Sequence, residues 1–382
     1  MKRIVAGVLL CATTGMVHAD VTVLDSDSIA AKVGHQVKAG EKRGVPLKLA
    51  SPGPRSGEIN LTDQSGLEYF INTNVTFSTT SSASGAASEA SYVGPVAATT
   101  SAGGTTASTL NDAFDGYGAL CLSFDGGTGA CNSGGGPKSP VGVATYIMYN
   151  QNGAATSDCG GRQVIYNTQA INGIDVSRRV YVPTDDSFAR WVNIFTNTTG
   201  APVSFHAVAS NNLGSDGNTV VVTSSSGDAI ATGADNWVTT FQDYSGTTSS
   251  DPRLGHVLKG PGSSVGLASV NIADGENNPF WSYPLTLAPG QTGIIMTFVT
   301  GQPSKAAAAS QAARLTALPA TALTCLSTTN QGQLLNFQLG GNGGPAPTAV
   351  DLPSMSRLGA VLLIIGLALI PLYLRRRRNS SR

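Results

Sequence analysis

Three kinds of pattern in this chain could do chemistry. Gly262-Ser-Ser-Val-Gly266 fits Gly-x-Ser-x-Gly, the nucleophile elbow in which a strained strand-to-helix turn lifts a serine hydroxyl above a sheet. Gly260-Pro261 precedes it and the strand-like Leu267–Ile272 follows it, so a β-turn is the better account of Ser264. His35, His206 and His256 are the histidines beyond the first 19 residues. His206 and His256 lie in strand patterns, and no spacing joins them to a serine and an aspartate. Paired carboxylates would suit glycoside hydrolysis, and Asp185-Asp186, Asp112/Asp115 and Asp274/Glu276 are the pairs available. Each sits among Gly, Pro, Asn or Ser, where side-chain turns explain it. Asp112, Asp115 and Asp274-Gly-Glu276-Asn277-Asn278 also offer hard oxygens to calcium, without an EF-hand or nonapeptide repeat around them. The expectation is therefore no catalytic residue, no metal and no cofactor. A glycan platform is the remaining possibility: Trp237, Trp281 and Tyr283 would form one if exposed, and core anchors if not.

The elements that would position these residues are strands. The chain has 46 glycines, only 12% charged residues and abundant Ser, Thr and Val, with hardly any helical periodicity. Strand candidates recur at short spacing between Gly/Asn/Asp/Pro turns, among them 58–63, 67–77, 141–149, 163–166, 178–182, 189–196, 203–209, 219–223, 237–241, 256–259, 265–272 and 293–299. Arg190-Trp191-Val192-Asn193-Ile194-Phe195 alternates clearly. The expected fold is all-β, a large β-sandwich with one or two short C-terminal helices and a single C-terminal transmembrane helix. The alanine-rich run 304–318 should be the main helix, with Ser304 as N-cap and Pro319 just beyond its end. A second is expected over 328–337. Residues 78–109 are Ser, Thr, Ala and Gly with few large apolar groups, and should form long loops or an exposed edge.

Four cysteines lie beyond the first 19 residues: Cys121, Cys131, Cys159 and Cys325. An even number in an exported chain favours two disulfides, with three pairings open. Cys121 and Cys131 flank the Gly-rich Asp125–Gly129 and make an easy staple. Cys159–Cys325 follows by elimination and would close a loop long enough to contribute on the order of 4 kcal/mol in the chain-entropy model.

Both ends point to export. Lys2-Arg3, the apolar 4–12 and Val17-His18-Ala19 read as a secretory signal over residues 1–19. Leu358 to Leu374 is a run of 17 residues without a charge, about 26 Å as a helix, close to the roughly 30 Å of a hydrocarbon core. Arg375, Arg376, Arg377 and Arg378 follow and would stay cytoplasmic. The whole chain carries 23 Lys+Arg and 23 Asp+Glu. Eight of the basic residues and none of the acidic ones lie in 1–19 and 352–382, which leaves 15 against 23, a net of −8, for the exported part. An acidic surface excludes nucleic acid as the expected partner. The organisation expected is a signal (1–19), an N-terminal β segment with low-complexity loops (20–110), a sandwich with terminal helices (111–338), a Gly/Pro linker (339–351) and the tail (352–382).

The tail resembles the IPTL-CTERM sorting signal of Gram-negative bacterial surface proteins. The motif is Leu352-Pro353-Ser354-Met355-Ser356-Arg357-Leu358-Gly359. Pro353, Ser356 and Gly359 match, Leu352, Ser354 and Met355 are conservative changes, and Leu358 replaces a tryptophan. The resemblance implies an exosortase-like membrane protease as partner, with cleavage near the motif. Residues 111–337 also look like a repeated extracellular β domain of bacterial surface proteins. The likeness rests on Asp112-Ala-Phe-Asp-Gly116, Val180-Tyr-Val-Pro183, Ala189-Arg-Trp191, Asn212-Leu-Gly-Ser-Asp216, Asp235-Asn-Trp-Val238, Ala288-Pro-Gly290 and Ala313-Arg-Leu-Thr-Ala-Leu-Pro319. The expected function is that of a non-catalytic envelope protein, structural or adhesive. It would sit at the cell surface, held in the membrane through 358–374 until processing, with a glycan or envelope partner. A carbohydrate-binding module is the alternative, and an extracellular hydrolase or lyase a further one.

Overall fold

Alternation of apolar and polar residues places two antiparallel sheets face to face. The computed structural model describes residues 57–73, 83–100, 102–129, 131, 146–150, 155–215, 217–243 and 251–339. The signal, the linker from residue 340 on, the sorting motif, the apolar run and the arginines lie outside the described residues. Among those described, no helix is long and apolar enough to cross a membrane.

The first sheet runs β1 (Glu58–Thr62), β2 (Leu67–Asn72), β3 (Ala87–Tyr92), β6 (Gly116–Ser123), β12 (Val203–Asn212), β17 (Phe280–Leu287) and β16 (Ser269–Asn271), with β7 (Tyr146–Met148) also paired to β6. The second runs β13 (Thr219–Ser224), β14 (Trp237–Gln242), β15 (Arg253–Val257), β18 (Thr292–Gln302), β11 (Ala189–Asn197), β10 (Ile174–Tyr181), β9 (Gln163–Ile171) and β8 (Thr156–Asp158). A separate hairpin pairs β4 (Val96–Thr99) with β5 (Thr105–Ser108). The expected all-β sandwich is therefore present. The low-complexity segment departs from expectation. It supplies β3, because Ala87 and Ala90 are small enough to lie flush in the interior and Tyr92 adds a large apolar ring. The first sheet thus runs across position 110.

Two central strands that pattern reading overlooked, β6 and β17, carry much of the interior. Along β17, Trp281, Tyr283, Leu285 and Leu287 point inward, while Pro284 and Thr286 are exposed. Pro284 is tolerated mid-strand because β16 pairs only with Phe280–Ser282, leaving that edge open beside it. On β6, Gly118 has φ +80° and lies against Trp191 of β11: a Cβ there would sit 2.7 Å from the indole.

The outer face of the second sheet is covered by helices. α1 (Lys305–Thr316) starts at Ser304, whose hydroxyl accepts from the Ala307 N–H at 3.1 Å, as the capping pattern implies. α2 (Ala320–Leu323) and α3 (Thr328–Gly332) follow, the latter shorter than the expected 328–337. Leu315, Ala322, Leu326 and Phe337 pack on Val192, Met296 and Phe298. Both disulfides form as expected, Cys121–Cys131 and Cys159–Cys325. The second links the helical segment to the turn before β9.

Long polar side chains cross the interior and end on backbone carbonyls. Arg178 donates to the Ser84 carbonyl at 2.9 Å and to that of Gly118. Arg190 donates to the carbonyls of Ala322 (2.6 Å) and Thr324 (2.9 Å) and lies over the Tyr181 ring. Trp191 donates to the Gly85 carbonyl at 2.7 Å and Tyr92 to that of Gly301 at 3.0 Å. Burial pushes both the Arg178 and Arg190 guanidinium groups down to about 10, so they stay charged at neutral pH. Such charges are tolerated inside only with hydrogen bonds to their terminal nitrogens; the Nε of each is buried without a hydrogen-bond partner among the described residues.

Gly118→Ala should therefore destabilise the protein by roughly 2–4 kcal/mol in chemical denaturation, since a methyl group meets the Trp191 indole at a left-handed backbone position. A change within about 0.5 kcal/mol would contradict the close approach.

Candidate functional site

Most of the residues singled out from sequence are committed to holding the fold. His256, on β15, is fully buried between the sheets. Its Nδ1 shares a hydrogen bond with the Tyr117 hydroxyl at 2.8 Å and its Nε2 with the Thr240 hydroxyl at 2.8 Å. The Tyr117 ring stacks on the imidazole at 5.6 Å between centroids and also touches Trp191 and Trp281. Burial lowers the His256 pKa to about 3, so the ring is neutral where the protein is folded.

The glycan platform is not assembled. Trp281 and Tyr283 are buried, 0% and 1% exposed, on the inner face of the first sheet, with the Tyr283 hydroxyl donating to the Leu258 carbonyl at 2.6 Å. Trp237 is half-buried and packs with the cluster on the outer side of the second sheet. Strand alternation sends these side chains to different layers, which their aromatic type alone could not reveal.

The acidic pairs are turn and clamp residues. Asp186 accepts from the Ser187 N–H (2.8 Å), the Gln311 amide (2.9 Å), the Thr321 hydroxyl and the Arg314 guanidinium, tying the helical segment to the loop before β11. Burial pushes its pKa up, but hydrogen bonds from Arg314, Thr321, Gln311 and Ser187 outweigh that and hold it below the usual carboxylate value. Asp274 accepts from the Val221 N–H at 2.7 Å. Glu276 accepts from the Asn271 amide (2.6 Å) and the Asn278 N–H (2.8 Å). Ser264 donates to the Leu335 carbonyl at 2.9 Å and is followed by the short strand β16, with no helix to make an elbow. The Asp235 carboxylate organises the turn between β13 and β14 through Ser225, Ser226 and Thr232.

His206 differs. On β12, Phe205, Ala207 and Ala209 face the core, so His206 faces outward, between Ser204 and Val208. It is opposite Ser123 of β6 on one side and Pro284 of β17 on the other, and Ser123 is opposite Tyr146 of β7. Directly opposed residues lie about 4.5–5.5 Å apart. Tyr146, Ser123, His206 and Pro284 thus form one row across four strands on the outer side of the first sheet, where Ser123 and Tyr146 are buried, His206 is half-buried and Pro284 is exposed. Next to it, the Ser204 and Thr286 hydroxyls share a hydrogen bond of 2.9 Å. The half-buried His206 ring makes no hydrogen bond among the described residues, and its Nδ1 is buried without a partner. Ser123 donates to the Asp125 carboxylate at 2.7 Å and accepts from the Gly127 N–H at 3.0 Å. Burial raises the pKa of the Tyr146 hydroxyl, which accepts from the Gly129 N–H at 2.7 Å. Sequence reading placed His206 in a strand pattern, as a core or face residue, but could not see this row, because β6 was not recognised as a strand and Asp125–Gly129 read only as a loop.

Fold and face together define a two-sheet all-β protein with a polar, histidine-bearing row on one outer surface. No protein-family model matches the chain, and no curated protein does. Solved structures resemble it in shape. A galactose mutarotase-like protein from Lactobacillus casei is 11% identical, covering 64% of this chain and 99% of that one, with a TM-score of 0.34. A candidate aldose 1-epimerase from Escherichia coli K12 is 10% identical over 64% of this chain and 98% of that one, with a TM-score of 0.34. A polysaccharide lyase is 13% identical over 60% of this chain, with a TM-score of 0.32, and the match spans 32% of the lyase. The expectation of a non-catalytic structural or adhesive protein, and of no enzyme, is withdrawn on this finding, because these structures are named for sugar chemistry. TM-scores this low transfer neither activity nor substrate, so the functional reading rests on the residues of this chain.

The neutral His256 gives a pH dependence of known sign. Its folded pKa lies below the unfolded value of about 6.5, so its contribution is complete above pH 6.5 and is lost as pH falls toward 3. Stability measured against pH should fall less steeply between pH 6.5 and 4 in His256→Asn than in the wild type. Parallel curves would show that His256 does not titrate differently in the two states.

Proposed function

We propose that this is an exported, carbohydrate-binding protein whose ligand lies on the outer side of the first sheet, over the row Tyr146–Ser123–His206–Pro284. The observation that carries the reading is His206. It is an imidazole with no hydrogen bond of its own among the described residues, on a surface whose neighbours are hydroxyls. Sugar hydroxyls both donate and accept, and an imidazole beside the Ser204 and Thr286 hydroxyls offers both roles in return. The Asp125 carboxylate beside Ser123 favours neutral sugars over acidic ones. Histidine is also the side chain best suited to move a proton on a bound ligand near neutral pH.

Two disulfides support an oxidising compartment. With the signal-like residues 1–19 and the tail, they support export to the cell envelope. The tail 352–382 would be held in the membrane through 358–374 and processed near Leu352–Gly359 by an exosortase-like protease.

Calorimetric titration with a panel of neutral mono- and oligosaccharides tests the ligand. His206→Ala should weaken binding at least about tenfold, or roughly 1.4 kcal/mol, while Trp237→Phe leaves it unchanged; an equal affinity in wild type and His206→Ala would overturn the site. Following the same sugars by NMR reports any chemical conversion. For the tail, intact-mass analysis of the envelope protein should find a chain ending near Ser356. A chain that retains Arg382 would refute processing.

A further inference from the structure

One carboxylate inside the sandwich is only half satisfied. Asp63 lies just after β1, two residues beyond the core residue Leu61, and is 5% exposed. Its Oδ1 accepts from the Ser65 N–H (2.8 Å), the Ser65 hydroxyl (2.7 Å) and the Leu67 N–H (3.1 Å), which shapes the turn between β1 and β2. Its Oδ2 is buried without a hydrogen-bond partner among the described residues, and so is the Tyr69 hydroxyl on β2. A charged oxygen buried in this way is costly. The turn is also a junction. The Gln64 N–H donates to the Asp186 carbonyl at 3.0 Å. Arg162, just before β9, donates to the carbonyls of Thr62 (2.6 Å) and Val182 (2.8 Å). The edge of the first sheet is thereby joined to the second sheet and, through the Asp186 carboxylate, to the helices.

The ionisable groups facing Asp63 are Tyr69 on β2, Tyr92 on β3, Arg162 before β9 and Asp186 in the loop before β11. Behind them, the Arg253 charge on β15 acts on Tyr92, and Arg314 on α1 is bonded to Asp186. Burial pushes Asp63 up to about 6; hydrogen bonds from Ser65 and Leu67 oppose the rise and the Asp186 charge adds to it. Burial pushes Tyr92 up to about 12 and Tyr69 well above its ordinary value, so both hydroxyls stay neutral. Burial lowers the Arg162 pKa against the pull of the Tyr181 and Asp63 charges, and Asp186 is held below the usual carboxylate value. Of this group, Asp63 is the one that changes charge between pH 7 and 5.

We propose that the β1–β2 turn is a proton-operated latch: in mild acid Asp63 takes up a proton at its unpartnered oxygen, and the neutral carboxyl holds the edge of the first sheet to the second sheet and the helices more firmly than the carboxylate does. The proton comes from solvent, an Oδ2–H bond forms and the buried charge is removed. The folded value of about 6 exceeds the 3.8 of the free side chain, so the folded turn binds the proton more tightly. Stability is therefore gained as pH falls through 6 and is fully present below 3.8, opposite in sign to the contribution of His256. The latch is independent of the carbohydrate reading.

Amide hydrogen exchange over residues 58–72 of the full-length protein reads the latch. Wild type is compared at each pH with Asp63→Asn, which keeps an oxygen for Ser65 and Leu67 but does not titrate. The comparison cancels the intrinsic pH dependence of exchange and the titration of His256. The ratio of wild-type to variant protection should rise about tenfold from pH 7 to pH 5, as a folded value of about 6 against 3.8 requires. A ratio that rises less than about twofold, or falls, would overturn the latch. Ser65→Ala removes a hydrogen bond that favours the carboxylate, so its gain in protection should begin at higher pH than in wild type. A gain that begins at the same or lower pH would overturn it as well.

Discussion

The contact on which the architecture depends is the meeting of Tyr117, His256, Trp191 and Trp281 midway between the two sheets. Tyr117 and Trp281 come from the first sheet, Trp191 and His256 from the second. Aromatic rings supply large buried area, but each of these also carries a polar atom that is costly to bury unpaired. The fold meets that constraint for three of the four with short internal bonds, Tyr117 to His256, His256 to Thr240 and Trp191 to the Gly85 carbonyl, while the Trp281 indole nitrogen is buried with no hydrogen-bond partner among the described residues. These bonds fix the spacing and registry of the two layers. Gly118 is the sequence's concession to that closeness.

The same rule extends outward. Arg178 and Arg190 satisfy strands and helices that cannot pair with each other directly. Asp186 gathers Gln311, Arg314 and Thr321 onto the sandwich, and Cys159–Cys325 closes the same end covalently. A charged or aromatic residue in this chain is therefore usually a brace. His206 differs in its place: its Nδ1 has no hydrogen-bond partner among the described residues, and its strand puts it on the outer side of the first sheet, beside the Ser204 and Thr286 hydroxyls. That contrast between two histidines on neighbouring layers carries the functional reading.

The all-β class, the main helix with its Ser304 cap and the Cys121–Cys131 pairing were legible in the sequence, because each rests on a local signal: period-2 alternation, a capping residue before an alanine run, and cysteines flanking a glycine loop; Cys159–Cys325, 166 positions apart, followed only by elimination. β17 was not legible, since Pro284 argues against a strand until its open edge is seen. β6 was hidden by Gly116 and Gly118, the second of which admits Trp191 from the opposite sheet. The burial of Trp281 and Tyr283 depends on which face of β17 meets the second sheet, a tertiary fact. The row around His206 joins residues from four separate strands between Ser123 and Pro284, and only the register of those strands brings them together.

The two histidines also offer the most direct test. Long-range proton–nitrogen NMR resolves both imidazoles in the intact protein, through a pH titration and then on addition of a neutral oligosaccharide. The account requires that the His256 ring stay neutral from pH 7 down to 4 and not respond to sugar, while the His206 resonances shift as sugar is added. A His256 ring that protonates near pH 6.5, or sugar-induced shifts at His256 with none at His206, would contradict it.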